Sequence, residues 1–448
     1  MEALNKHGHQ DLLIKNGLLV LPDGIEKGDL RIAHGMIQEY GNPLQPLPEE
    51  QVLEANGKYI VPGFIDIHNH GGQGFDFTYG NYDPEKKGFY FSNPSYLEGV
   101  TRTLRYFLHH GATRIYATTL AAPIQDLKRS LTALDAYRKA ENYELGQMLA
   151  GINLEGTFIR DPAFAGAQNP EHFQPLSQDL FADLQKAAGG MIHIVNVPPD
   201  HGMESLSFIK QLSQQGVVIA GGHTGAYGAI THEAVDAGMK LAVHYFNGPS
   251  RQSYKSFHQG GAMEAFLLRD EVSLELIVDG YHIQPAYVRD AITRKEVDRV
   301  IAITDSMFVN GSTDIHRFSL AGISGSLSSD KQYLQVSNRP DTLFGSVLTP
   351  FTGFKNLVRW LSSEMNGYWT RHHPALSRDE AIWLASQLMS SNPARLSGLD
   401  KPSHETSPTG SIRKGFSADL LILSNSNNLQ DMHIQECILA GKLMSDLE

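Results

Sequence analysis

Six residues of metal-binding type lie at or near the ends of short apolar runs: His68, His70, Glu155, His223, His244 and Asp305. Their imidazole and carboxylate groups suit ions such as Zn, Fe, Mn or Co. His68 and His70 are two residues apart, so on a strand both side chains would point to the same side and reach one ion. A carboxylate in an apolar run costs on the order of several kcal/mol unless it is paired or metal-bound. The histidines alone are weak signals and the two carboxylates are stronger ones, and the joint occurrence of all six residues indicates a metal site.

The apolar runs alternate with longer stretches whose apolar residues recur at helical intervals. There are eight such runs, at residues 59–70, 114–120, 150–158, 191–199, 217–224, 241–247, 274–283 and 299–307. Eight buried strands alternating with helices predict an α/β fold of the (β/α)8 TIM-barrel type. Because the C-terminal ends of barrel strands converge on one face, we expect the six residues to meet there. A doubly wound open sheet is disfavoured, because no G-x-G-x-x-G or G-x-x-x-x-G-K-[ST] pattern opens a helix.

The two ends of the chain have a different pattern. Residues 1–58 and 400–448 contain short β-type runs separated by Gly and Pro, such as DLLIKNGLLVL and ADLLILS. We expect these segments to form a small β-sandwich beside a barrel of residues 59–399. Within the barrel, the Gly- and Ser-rich segment 318–346 predicts an elaborated loop or hairpin, and residues 377–399 predict a final helix.

Composition narrows the class of protein. The 448 residues carry a formal net charge of −12, which argues against non-specific nucleic-acid binding, since that needs clustered Lys and Arg. No segment approaches the roughly 18 uninterrupted apolar residues of a membrane helix, and the first residues lack the apolar core of a signal peptide. We therefore expect a cytoplasmic protein with no nucleic-acid or membrane partner. The single cysteine, Cys437, excludes an intrachain disulfide, and its apolar setting ECILAG predicts a buried thiol.

Nine stretches of the sequence follow one another in the order seen in a known family. They are PGFIDIHNHG, LEGTFI, AGGHTGA, HYFNG, DGYHI, ITDS, GSVLT, NPAR and GSIRKGFSADL. Together they resemble the N-acetylglucosamine-6-phosphate deacetylases of the amidohydrolase superfamily, over residues 59 to 420 or so. The resemblance implies hydrolysis of the N-acetyl amide of N-acetylglucosamine 6-phosphate to glucosamine 6-phosphate and acetate. It also implies a terminal β-sandwich and a homodimer.

The same resemblance gives each candidate residue a role. The H-x-H pair matches ligands of one metal ion, and Glu155 matches a bridging carboxylate. His223 and His244 match ligands of the other ion, so one or two divalent ions are expected, with zinc first and iron, manganese or cobalt as alternatives. Asp305 matches the general base that takes a proton from water and returns it to the leaving nitrogen.

The residues around the expected substrate depart from the family pattern. The family has Pro after the Glu-Gly pair and Gly-x-His-Asn soon afterwards, whereas this chain has Thr157 and then Gly166-Ala167-Gln168-Asn169. Gln168 could donate a neutral hydrogen bond where the family histidine polarises the substrate carbonyl. The family's Asn-Ala-Met becomes Asn-Gly-Pro, and its phosphate-binding arginine has no clear equivalent in the following loop. The candidate substrate-binding residues are Gln168, Asn247, Gly248, Arg251, Lys255, His258 and His282.

Other functions stay open from the sequence alone. One is the same chemistry on an unphosphorylated or differently substituted amide. The charge of the loop from Arg251 to His258, together with His282, bears on this choice, because a phosphate needs convergent donors. A second is a non-catalytic barrel that only binds, which is disfavoured because such descendants usually lose ligands. Carbamoyl-type ring hydrolases are also disfavoured, because they use a strand lysine where this chain has Glu155.

Overall fold

The computed structural model describes residues 11–140, 144–248, 255–403, 407–426 and 428–444. Within these ranges the strands are β1 (Leu12–Leu21), β2 (Gly24–Ala33), β3 (Met36–Gly41), β4 (Gln51–Glu54), β5 (Tyr59–Pro62), β6 (Phe64–Asn69), β7 (Gly71–Gly72), β8 (Phe75–Asp76), β9 (Gly80–Asp83), β10 (Gly88–Tyr90), β11 (Ala112–Thr118), β12 (Leu149–Leu154), β13 (Ile192–Asn196), β14 (Val218–Gly221), β15 (Met239–Ala242), β16 (Ser273–Ile277), β17 (Val300–Ile303), β18 (Arg317–Leu320), β19 (Ile323–Leu327), β20 (Leu334–Val336), β21 (Arg339–Leu343), β22 (Leu420–Leu423), β23 (Ile434–Leu439) and β24 (Lys442–Leu443). The α-helices are α1 (Asn93–His109), α2 (Ile124–Lys139), α3 (Gln178–Ala187), α4 (Met203–Gln214), α5 (Gly228–Ala237), α6 (Ala262–Leu268), α7 (Pro285–Lys295), α8 (Pro350–Leu361), α9 (Arg378–Ser386) and α10 (Asn392–Ser397).

Eight parallel strands form the barrel, and each falls in or overlaps one of the eight predicted runs. Their order around the barrel is β6, β11, β12, β13, β14, β15, β16 and β17. The ends of β6 and β17 come together, because the Asp305 N–H donates to the His68 carbonyl over 2.9 Å and the His70 N–H donates to the Ser306 carbonyl over 2.8 Å. Side chains at alternate positions, such as Ile65 and Ile67, fill the barrel interior. The predicted TIM-type barrel is therefore confirmed.

The helices lie outside the barrel, in the order that the sequence predicted. Helix α1 illustrates why they form where they do. Ser92 caps its first turn and Ser95 closes the capping box. Tyr96, Val100 and Leu104 then recur at four-residue intervals and are buried against the core. The helix ends just before Gly111, whose φ of +87° suits glycine.

The predicted final helix is present in the segment 377–399, with one irregularity. Ser377 caps α9 and forms a capping box with Glu380. A π-helical turn at Gln387–Ser391 separates α9 from α10. The side-chain amide of Asn392 donates to the carbonyls of Val297 and Val300, so the NPAR motif holds the start of β17.

Segments from the two ends of the chain pair in one mixed sheet. Its order is β24, β23, β22, β5, β1, β2 and β3, and β4 pairs with β1. Both faces are buried, because neighbours along β22 alternate: Leu421 packs on the barrel side and Leu420 packs in a separate terminal core. Cys437 of β23 is buried on the barrel side, as its apolar setting predicted.

Strand β5 pairs within the terminal sheet, although it falls in the run that was assigned to the barrel. The terminal sheet and the barrel therefore meet between β5 and β6, at Gly63, where a Cβ would collide with Thr113. We propose Gly63 as the boundary, in place of the expected division after residue 58.

Two small antiparallel sheets cover the C-terminal mouth of the barrel. The segment 318–346, expected to be an elaborated loop or hairpin, forms the four-stranded cap sheet β18–β21 except for Arg317, the first residue of β18. A second sheet, β7–β10, follows the first barrel strand and was not predicted, because its strands of two to four residues are too short to show a period. The two sheets share a core in which the Phe308 ring lies 5.1 Å from those of both Tyr82 and Phe318. In the described ranges no helix combines the length and apolar character needed to cross a membrane.

Candidate metal centre

The six predicted residues converge at the C-terminal mouth of the barrel. They lie in or within two residues of five strand ends: His68 and His70 at β6, Glu155 after β12, His223 after β14, His244 after β15 and Asp305 after β17. All six are buried. The parallel arrangement therefore brings together side chains that are far apart in sequence, as expected for a TIM-type barrel.

Glu155 is at the middle of this cluster. Its Oε1 atom lies 3.1 Å from Nε2 of His244, 3.2 Å from Nε2 of His223 and 3.6 Å from Nε2 of His68. Its Oε2 atom lies 3.5 Å from Nε2 of His70. One carboxylate thus faces four imidazoles, which is the position that a bridging ligand would take.

Asp305 faces the other side of the H-x-H pair. Its Oδ1 atom lies 3.2 Å from Nε2 of His70 and 3.6 Å from Nε2 of His68. The ligand atoms form two overlapping groups, each within 4.8 Å: His68, His70 and Asp305 in one, and His68, Glu155 and His244 in the other. His68 belongs to both groups.

The hydrogen bonds around the cluster indicate that a cation belongs in it. Nδ1 of His223 lies 2.9 Å from the carbonyl of Phe164, which can only accept, so Nδ1 carries the proton. In the neutral ring, Nε2 then turns a lone pair toward the Glu155 oxygen 3.2 Å away. Two acceptors at this distance need a positive charge between them, either a proton or a metal ion. Nitrogen and oxygen donors in this arrangement fit a divalent metal.

His68 supports the same conclusion. It is fully buried, and its Nε2 atom has no hydrogen-bond partner in the described part of the chain. A buried polar atom without a partner is costly, on the order of 1–3 kcal/mol. A metal ion between His68 and the two carboxylates would remove that cost.

Three of the candidate residues have strained backbones. His223 and Asp305 have φ of +50° and His244 has φ of +25°, in the left-handed region that residues other than glycine rarely occupy. Such strain costs on the order of 1–3 kcal/mol and concentrates at functional sites. The strain follows from the position, because each chain segment must turn sharply away from a strand end while aiming its side chain inward.

When a proton rather than a metal ion lies between imidazole and carboxylate, the charge on the imidazoles sets the protonation of the carboxylates. Burial alone would raise the pKa of Glu155, but the positive charge of His68 and the hydrogen bonds from His223 and His244 hold that pKa well below its usual range. Burial likewise raises the pKa of Asp305, but the hydrogen bond with His70 and the charges of the H-x-H pair bring it below its usual value. Both carboxylates are therefore ionised at neutral pH.

A cavity of about 460 Å³ opens over the cluster. Three of the predicted substrate-binding residues, Gln168, Asn247 and His282, line it, and the cap sheet adds Asp341 and the chain after it. His282 is fixed by Asp279, whose Oδ2 atom lies 2.7 Å from its Nδ1. Burial lowers the pKa of His282, but the Asp279 charge outweighs it and raises that pKa.

The other candidate substrate residues lie away from this cavity or outside the described residues. Lys255 is exposed and is not part of the cavity wall. His258, also outside the wall, stacks on Tyr227 with ring centroids 3.7 Å apart. Gly248 lies behind the wall, where a Cβ would approach Nδ1 of His244 to 2.8 Å. Arg251 lies outside the described residues.

Gln168 is held inside the site. Its Nε2 donates to Glu155 Oε2 over 2.7 Å, and its Oε1 accepts from the Ala121 N–H over 2.7 Å. The amide that was expected to contact a substrate carbonyl is therefore already bonded to the central carboxylate.

One buried carboxylate of the site was not singled out from the sequence. Glu275 lies in β16, within the apolar run LELIVDGYHI, and it is completely buried. Glu275, like Glu155, is a carboxylate in an apolar run, so the same sequence signal marks it as a candidate site residue.

Comparison with known proteins gives matches along nearly the whole chain. A family model described as the amidohydrolase family matches residues 59–444. An N-acetylglucosamine-6-phosphate deacetylase of Bacillus subtilis (strain 168) is 28% identical over 93% of this chain and 94% of its own length. An N-acetylgalactosamine-6-phosphate deacetylase of Escherichia coli O157:H7 is 27% identical over 96% of this chain and 97% of its own. A solved structure of a Mycobacterium smegmatis N-acetyl-D-glucosamine-6-phosphate deacetylase mutant, in complex with N-acetyl-D-glucosamine-6-phosphate, has a TM-score of 0.77 and 25% identity, over 97% of this chain and 99% of that one.

Proposed function

We propose that this chain, which belongs to the amidohydrolase family, hydrolyses the N-acetyl amide of an amino sugar 6-phosphate. The observation that carries the proposal is the cluster itself: four imidazoles and two carboxylates meet, and five of these six side chains line a cavity large enough for one sugar. Relatives that match 93% and 96% of the chain are deacetylases of N-acetylglucosamine 6-phosphate and N-acetylgalactosamine 6-phosphate. The products would be the amino sugar phosphate and acetate.

We propose zinc as the ion, with His68 and His70 as ligands on one side of Glu155 and with His223 and His244 on the other. The position of Glu155 between the two histidine pairs supports two ions, and iron, manganese or cobalt would suit the same donors. A divalent ion held here would lower the pKa of a bound water to about 7 and polarise the amide carbonyl.

Asp305 has the position and charge of the proton carrier. It lines the cavity, and as a carboxylate it can accept a proton from the attacking water. It then donates that proton to the amide nitrogen, so that the C–N bond breaks and the product leaves as a neutral amine. Glu155 is less suited to this role, because four imidazoles and the Gln168 amide already surround its oxygens.

For the sugar we propose contacts with Asn247 and His282, which line the cavity beside the cluster. The His282 ring, oriented by Asp279, offers a donor to a sugar oxygen or a phosphate. We propose that further contacts to a phosphate come from Arg251, Lys255 and His258. We also propose a homodimer, which size-exclusion chromatography with light scattering would test.

An unphosphorylated amide is the second candidate substrate. It is favoured by Asp341, a carboxylate in the cavity wall that would repel a phosphate, and by the exposed position of Lys255 outside that wall. In this case the polar wall residues would bind hydroxyl groups.

The deciding experiment is a hydrolysis panel on metal-analysed protein. It would contain N-acetylglucosamine and N-acetylgalactosamine, each with and without a 6-phosphate. We expect release of acetate, with the highest kcat/KM for a 6-phosphate. A preference for the free sugars would select the second candidate, and metal-loaded protein that turns over none of the four would refute the proposed function.

Lys255→Ala separates the two candidates further. If Lys255 binds phosphate, this change raises KM for the 6-phosphate and leaves KM for the free sugar unchanged, since the lost contact is remote from the carbonyl. Equal effects on both substrates would remove Lys255 from the phosphate site.

A further inference from the structure

Glu275 is a carboxylate at the centre of the barrel with an unusual set of partners. It is completely buried in β16. Its Oε2 atom lies 3.0 Å from Nδ1 of His68 and also accepts the main-chain N–H of His244 over 3.1 Å. A single oxygen atom is therefore bonded to two candidate metal ligands on different strands.

The charge of Glu275 is otherwise uncompensated in the described residues. Its ion-pair partner there is His68, with no Lys or Arg side chain. Another buried carboxylate, Asp419, instead forms an ion pair with Arg114 over 2.7 Å. A buried carboxylate without a cationic partner costs several kcal/mol, on the order of the penalty for an unpaired ion. A hydrophobic residue would fill this barrel position at lower cost, so a purely structural role leaves Glu275 unexplained.

The hydrogen bonds define what Glu275 does to each partner. An ionised carboxylate can only accept, so Nδ1 of His68 carries the hydrogen of this bond, and in a metal-bound His68 the lone pair of Nε2 is left for the ion. The bond to the His244 N–H fixes the main chain at a residue whose φ of +25° is strained. The two imidazole rings are held with their centroids 5.4 Å apart.

We propose that Glu275 is a positioning residue for the metal centre, which sets the tautomer of His68 and fixes the separation of His68 from His244. His68 belongs to both candidate ligand groups, so its orientation affects metal binding whether the cluster holds one ion or two. A carboxylate behind a ligating histidine orients the ring and raises its basicity. The inference rests on metal binding at the cluster, as in the proposed function, but not on the identity of the substrate.

The test compares metal binding by the wild type, Glu275→Gln and Glu275→Ala without substrate. Zinc is titrated against a competing chelator, and the absorption spectrum of the cobalt-substituted protein reports ligand geometry. We expect the dissociation constant of the weaker-held ion to rise about 100-fold in Glu275→Ala and about 10-fold in Glu275→Gln, with altered cobalt spectra. The smaller effect is expected because the amide oxygen of Gln can still accept from His68.

Asp29→Asn is the matched control, because Asp29 is also buried and accepts two main-chain N–H groups, from Asn16 and Leu44, in the terminal sheet. It should bind metal as the wild type does. Unchanged zinc affinity and cobalt spectrum in folded Glu275→Ala would overturn the proposal. If that variant does not fold, the same result in Glu275→Gln would overturn it, as would an equal loss of metal in Asp29→Asn. Failure of the deacetylase proposal would instead appear as metal-loaded wild type without turnover.

Discussion

Asp305 is the side chain on which the proposed chemistry depends most directly. Asp305→Asn keeps the shape of the side chain but cannot carry a proton, so we expect kcat to fall by about 10²- to 10⁴-fold while the fold is kept. The checks are steady-state kinetics, circular dichroism and the metal content of the variant. A kcat within a few-fold of the wild type would assign the proton transfer to another residue.

Gln168 stands where the family motif has a histidine, and a substitution here can show whether its side chain supports the central carboxylate or contacts the substrate. Gln168→Met keeps the length of the side chain but removes the hydrogen bond to Glu155, and a bond to a charged group is worth about 1.5–3 kcal/mol. We expect kcat/KM to fall by roughly 10- to 100-fold, with weaker metal binding. The half-buried Gln174 on the same loop bonds to the His172 carbonyl, so Gln174→Met is the control. A rise in KM alone, with full metal affinity, would return Gln168 to substrate binding.

The candidate ligands could be predicted because residue type and position at a strand end are both visible in the sequence. His223 and His244 follow recognisable apolar runs, and the barrel geometry brings the ends of those runs together on one face. The partner of Gln168 could not be predicted, because it depends on the path of the loop after β12. The exposed position of Lys255 depends in the same way on loop conformation, which local sequence does not determine.

The cap sheet β18–β21 closes one side of the cavity and is bonded to the loop that carries Gln168. The Arg339 guanidinium donates to the Gly166 carbonyl over 2.9 Å, and the Asn169 amide donates to the Ala321 carbonyl over 2.9 Å. Since the sheet supplies Asp341 to the cavity wall, these bonds set the distance between the two walls.

Arg339→Ala should therefore widen the cavity without removing a side chain from the cluster. We expect KM to rise roughly two- to ten-fold, the value of one hydrogen bond, while kcat changes little. Kinetics on the best substrate of the panel provide the measurement. Arg317→Ala, which removes an exposed arginine from the same sheet, should leave both constants unchanged. A fall in kcat with constant KM in Arg339→Ala would show that the contact supports the chemistry.

The barrel and the terminal sheet could be predicted as units, whereas the sheets at the mouth could not. Barrel strands such as β12 are runs of buried apolar residues, which stand out in any window of sequence. The strands of β7–β10 have two to four residues and are stabilised by the cap sheet, through contacts such as Tyr82 with Phe308. Their formation therefore depends on tertiary contacts, which a sequence pattern does not contain.

Removing the metal should destabilise the whole protein, because the cluster joins five strands of the barrel. A ligand that binds only the native state stabilises it by about 2.7 kcal/mol when its concentration is 100 times its Kd. We expect chelation to lower Tm and re-addition of zinc to restore it, as measured by scanning calorimetry. Metal analysis would first confirm that the ion has been removed. If Tm is then unchanged, the cluster holds no ion that contributes to stability.

Cys437 offers a probe of whether the terminal sheet and the barrel open together. It lies in β23, its Sγ contacts the Leu108 carbonyl of α1 at 3.1 Å, and burial raises the pKa of its thiol to about 12. Because the thiolate is the reactive form, the native thiol should resist iodoacetamide at pH 8. The sheet is buried on both faces, so we expect alkylation in urea to follow global unfolding measured by circular dichroism. The folded state also holds the thiol proton more tightly than the unfolded state does. The free energy of unfolding should therefore fall as the pH rises from about 9 toward 12. The opposite outcome is rapid alkylation while the protein keeps its full metal content and its native circular dichroism spectrum. That outcome would show that the terminal sheet detaches from the barrel on its own.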